Sequence, residues 1–98
     1  MTSLEDCEFC AYTSLQVLYL NGNKLSQISS SAFSNTLVYQ LHLSDNQLTV
    51  VPDLEVIKER LALLKLENNE IASLRDCEFC EYPRLQYCLL YTSDAADE

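Results

Sequence analysis

Ninety-eight residues suffice for one small domain, and with 48% apolar and 21% charged residues the chain can bury a core rather than stay disordered. Fifteen acidic against six basic side chains leave a net charge of -9, which argues against nucleic acid and anionic membrane surfaces as partners. No apolar run approaches the roughly 20 residues of a membrane-spanning helix, so membrane insertion is not expected.

In chain order, residues 1–14 are acidic and contain a Cys7-Glu-Phe-Cys10 pair. Three segments then align without gaps: Leu15 to Leu25, Val38 to Leu48 and Leu61 to Ile71. Each reads apolar-x-x-Leu-x-Leu-x-x-Asn-x-apolar, and the step from Asn23 to Asn46 equals the step from Asn46 to Asn69. Period-two alternation at Leu18-x-Leu20, Leu41-x-Leu43 and Leu64-x-Leu66 predicts a short strand with one buried face in each copy. The repeated Asn is expected to form a structural ladder, its amide satisfying backbone groups where the chain bends after each strand.

This signature resembles that of the leucine-rich repeat family, reproduced at every fixed position in three copies in phase. The resemblance implies an α/β solenoid, a horseshoe fragment with short parallel strands on its concave face and loops or short helical turns on its convex face. Ile28 to Phe33 and Leu74 to Phe79 each place Phe five residues after an aliphatic, a spacing similar to that of extracellular members of the family. Between them, Pro52 can open a short helical turn whose Leu54, Ile57 and Leu61 form one apolar stripe.

A longer-range match sets Ser3 to Gln16 on Ser73 to Gln86, three repeat periods plus one position further along the chain. It places Met1 at the position of Ile71, so the expected organisation is a partial repeat over 1–14, repeats starting near 15, 38 and 61, and a fourth begun at 85. Together they make one repeat-built unit over 1–87. Residues 88–98, Cys-Leu-Leu-Tyr-Thr-Ser-Asp-Ala-Ala-Asp-Glu, resemble one reading frame of a sequencing adapter and are expected to be a non-native tail.

The pairs Cys7/Cys10 and Cys77/Cys80 suggest a four-cysteine zinc site, but three repeats at about 4.8 Å each hold them roughly 14 to 15 Å apart. Zinc–sulfur bonds of about 2.3 Å cannot span that, so no metal is expected. Nearby carboxylates disfavour a reactive thiolate. The cysteines remain open to three readings: small buried apolar residues, a disulfide within each pair, or a bond to a neighbouring segment or another molecule.

His42 is the sole histidine, with no Cys or Ser at catalytic spacing, and there is no glycine-rich phosphate loop. No catalytic residue and no cofactor are expected. The positions beside the inward leucines form the candidate ligand face: Val17, Tyr19 and Asn21, then Gln40, His42 and Ser44, then Leu63, Lys65 and Glu67. Aromatics beside mixed polar groups suit protein recognition. The resemblance implies a protein partner on this face, within a larger protein. An extracellular or cell-surface setting is the expectation, with a cytoplasmic scaffolding segment attached to an enzyme or signalling domain as the alternative.

Overall fold

The computed structural model describes residues 2–72, 74 and 78–89, with the side chains of 87–89 outside that description. Among the described residues six short strands form in chain order: β1 (Ser3–Leu4), β2 (Val17–Tyr19), β3 (Gln27–Ile28), β4 (Gln40–His42), β5 (Leu63–Lys65) and β6 (Tyr87–Leu89). They make two parallel sheets. One has four strands in the order β2-β4-β5-β6, and the other pairs β1 with β3.

The repeat period is written directly into the larger sheet. Leu18 lies beside Leu41 and Leu41 beside Leu64, so every alternate side chain meets its own equivalent in the next copy. Leu41, Leu43, Leu64 and Leu66 are fully buried, joined by Leu25, Val38 and Leu61 from the flanking segments. Leu4 of β1 belongs to the same core, which therefore fills the space between the two sheets. At about 25 cal/mol per Å² of apolar surface, each fully buried leucine contributes roughly 1.5 to 3 kcal/mol.

Each copy turns after its strand through a residue with positive φ: Gly22 (78°), Asp45 (60°) and Asn68 (63°), again spaced by the repeat. Only glycine adopts this conformation freely, and Asp and Asn tolerate it best among the others. The one glycine in the chain is thus a turn residue, and its two counterparts are the next most permissive types.

The recurrent Asn follows at once and ties neighbouring copies together. Asn46 is buried; its Oδ1 accepts from the Leu25 N–H at 3.0 Å and its Nδ2 donates to Leu20 O at 3.1 Å and Leu43 O at 3.0 Å. Asn69 repeats the pattern one copy on, accepting from the Leu48 N–H and donating to Leu43 O and Leu66 O. Asn23 donates to Leu20 O at 2.9 Å, the bond within its own turn.

Opposite the large sheet, the helical component expected over Pro52 to Leu61 reduces to one 3-10 turn, Glu55–Ile57, opened by the Asp53 carboxylate accepting from the Glu55 N–H. No α-helix forms among the described residues, which corrects the α part of the expected α/β class. Three buried apolar residues explain why the turn stays short: Leu54, Ile57 and Leu61 reach the core within two turns of chain. The β1–β3 pairing was not anticipated, although the register Leu4 to Ile28 is the one the longer-range match implies once two repeat periods are subtracted from Leu74. The match fails in burial, since Leu4 is 2% exposed and its equivalent Leu74 is 40% exposed.

Aromatic packing repeats as well. Phe9 stacks on the buried Phe33 with centroids 5.6 Å apart and rings parallel, and the matched pairs Phe9–Tyr12 and Phe79–Tyr82 both bring their rings into contact. Burial pushes the Tyr82 hydroxyl up, opposed by its hydrogen bond to the Leu54 backbone. Strand β6 carries the ladder through Cys88 and Leu89, two residues past the boundary drawn from sequence; residues 90–98 lie outside the described residues. No helix among the described residues is long and apolar enough to cross a membrane.

Candidate functional site

Alternation in β2, β4 and β5 sends the leucines to the core and their neighbours to the opposite face. Register then lines up Val17, Gln40 and Leu63 in one row and Tyr19, His42 and Lys65 in the next. The first row is half-buried, whereas Tyr19 is 67% exposed at the open side of the second. The Tyr19 ring lies on the His42 imidazole with centroids 4.3 Å apart and planes 25° from parallel. Just past the strands, Asn21, Ser44 and Glu67 form a third row, in which the Ser44 hydroxyl donates to the Glu67 carboxylate at 2.6 Å. The Asn68 amide donates to Asp45 at 2.9 Å at its margin.

The second and third rows line a cleft of about 420 Å³ together with Asp45 and Asn68. All nine residues expected on the ligand face therefore lie on one sheet face or just past its strands, and six of them border the cleft. Asp45 and Asn68 were missed by the sequence reading. Their signal was the position before each repeated Asn, which Gly22, Asp45 and Asn68 occupy in successive copies.

Electrostatics in the cleft centre on His42. Burial lowers its pKa, the Lys65 ammonium lowers it further, and Glu67 partly opposes both. Its Nε2 is enclosed and has no hydrogen-bond partner among the described residues. A proton there would face a cation and little solvent, so the imidazole sits neutral under the tyrosine ring. The Ser44 hydroxyl is engaged by Glu67, so Ser44 and His42 do not form the nucleophile–base contact that acyl-transfer chemistry needs. The cleft offers an exposed aromatic face, a cation, a carboxylate and amide groups, which is the chemistry of recognition.

The cysteines resolve in part. Cys7 and Cys10 form a disulfide, closing the local turn in which Cys7 has φ of 52°. Of the three open readings, this is the bond within the pair. The turn is anchored to the next copy by the Cys7 N–H donating to Ser31 O at 3.2 Å and the Phe9 N–H to Ala32 O at 3.0 Å. Cys10 Sγ lies 3.9 Å from Ser31 O, a contact only, because an oxidised sulfur has no proton to donate. Cys80 is also disulfide-bonded, and Cys77 lies outside the described residues. No cluster of three or more His, Cys, Asp or Glu able to hold a metal ion occurs among the described residues.

Comparison with known proteins agrees with the repeat geometry. The family model described as Leucine Rich Repeat matches residues 14–36, a span that includes β2, β3 and Phe33. No curated protein matches the chain. The matched signature recurs in register at 38–48 and 61–71, which extends the similarity to leucine-rich repeats over three copies and supports a leucine-rich repeat protein.

Proposed function

We propose that the chain is a protein–protein interaction module, a segment of a larger leucine-rich repeat protein that meets its partner on the outward face of β2, β4 and β5. On this reading the strands line the concave side of a horseshoe solenoid, and the chain acts by binding, with no reaction of its own. The observation that carries the reading is the in-register row Tyr19, His42 and Lys65, in which an exposed tyrosine stacks on the His42 imidazole. Pre-stacking fixes the tyrosine before a partner arrives, which lowers the ordering cost of contact. Tyrosines in such settings dominate interface energetics.

An extracellular or cell-surface setting fits the Cys7–Cys10 disulfide, since such bonds persist in oxidising compartments. Thiol counting on protein recovered from its native setting under non-reducing conditions tests the compartment: free thiols at Cys7 and Cys10 would favour the cytoplasmic scaffolding alternative. The face itself is tested by partner capture with the parent protein carrying Tyr19→Ala, His42→Ala and Lys65→Ala together. Recovery should fall at least tenfold, and undiminished recovery would remove the claim.

A further inference from the structure

The smaller sheet stops after one pairing, and the stop has a sequence cause. β1 is held on β3 in part by the Ser29 N–H, which donates to Leu4 O at 2.9 Å. One repeat period carries Ser29 onto Pro52 and Ile28 onto Val51. Proline has no N–H, so the equivalent bond from residue 52 to Ile28 O cannot form. β3 is accordingly an edge strand, and a groove of about 550 Å³ is bordered by β1, β3 and the 50–53 segment.

Parallel pairing fixes which groups face that groove. Leu4 directs its peptide groups toward β3, and the repeat directs those of its partner Ile28 the same way, away from β1. No backbone hydrogen bond joins Ile28 to the 50–53 segment among the described residues. The floor is apolar, with Ile28, Val51 and the 67%-exposed Val50. The rim is anionic, carrying Glu5, Asp6 and Asp53. Both ion pairs among the described residues use Lys58, so none of these three carboxylates has a cationic partner there.

We propose that this groove takes an extended, basic segment of a partner protein by strand addition to β3. The segment's backbone pairs with the peptide groups of Ile28, alternate apolar side chains lie on Ile28 and Val51, and cationic side chains reach the carboxylate rim. Charge selects the occupant: an acidic or neutral strand meets three uncompensated carboxylates, whereas a basic one neutralises them. The site shares no residue with the cleft under Tyr19, so it stands or falls independently of the function proposed above.

The test uses the full chain and a fluorescent eight-residue peptide alternating valine with lysine, followed by anisotropy at low and at physiological salt. Binding is expected, weakening with salt, and weakening at least tenfold when glutamate replaces lysine or when alternate backbone amides of the peptide are N-methylated. Val50→Arg adds a cation to an exposed floor position, leaving the buried core intact, and should also weaken it tenfold. Tyr19→Ala should leave it unchanged. Absence of binding, equal binding of the N-methylated peptide, or indifference to Val50→Arg would each overturn the proposal. Concentration-dependent self-association abolished by Val50→Arg would do so too, by making the occupant a second copy of the chain.

Discussion

Replacing Asn46 with alanine tests the physical core of the repeat. Its side chain satisfies the Leu25 N–H, Leu20 O and Leu43 O, and Asn46 itself is 6% exposed. Alanine removes all three of these bonds in a region that excludes water. Leu20 O keeps the Asn23 amide and Leu43 O keeps that of Asn69, so the Leu25 N–H is the group left wholly without a partner. An unsatisfied buried backbone group costs about 1 to 3 kcal/mol, and the weakened carbonyls add about 1 kcal/mol together. The expected loss is thus about 2 to 4 kcal/mol, a large share of the 5 to 15 kcal/mol of a typical domain. Asn69→Ala removes the same set of bonds one copy on, from a half-buried site, and should cost somewhat less. Asn23→Ala removes one bond to a carbonyl that Asn46 also serves, and should cost under about 1 kcal/mol. Urea unfolding of the three variants beside the parent chain, read as midpoint shifts at constant slope, gives the ranking. Equal losses, or a larger loss at Asn23 than at Asn46, would refute the ladder reasoning.

Phe33→Ala should cost about 3 to 5 kcal/mol, because a fully buried ring and its stack on Phe9 are both lost; calorimetry checks this. His42 has a pKa lowered below the ordinary imidazole value of about 6.5, so its contribution to stability is complete above that value and declines as pH falls toward the depressed folded pKa. Lys65→Met should raise the His42 pKa and Glu67→Gln should lower it further, both read by proton NMR of the single imidazole. Reducing Cys7–Cys10 opens a very short loop, for which chain entropy gives at most about 2 kcal/mol, so the reduced chain should stay folded by circular dichroism.

The large sheet was legible in the sequence because its cause is periodic. One strand with one buried face cannot cover its own leucines, and a constant repeat period brings identical positions side by side, so Leu18, Leu41 and Leu64 declare both the strands and their register. The outward face of the strands, with Tyr19, His42 and Lys65 in one row, followed from the same alternation. The turn residues Gly22, Asp45 and Asn68 were equally periodic but went unread, since their common property is a backbone angle rather than a shared side chain.

Whatever depends on neighbours had to wait for the packed chain. The disulfide between Cys7 and Cys10 required the turn that places the two sulfurs together, and spacing alone left three outcomes open. The pairing of β1 with β3 joins dipeptides too short to carry a pattern of their own, and it forms only because the core has already set successive copies at strand spacing. Pro52 then ends that sheet, a local chemical fact whose effect exists only where another strand waits to be paired. The depressed pKa of His42 likewise arises from burial and from Lys65 and Glu67, which the next copy brings beside it. Periodicity along the chain declares which groups repeat; packing selects which of them meet, because hydrogen bonds and charges act over a few ångströms while the residues involved lie a whole repeat apart in sequence.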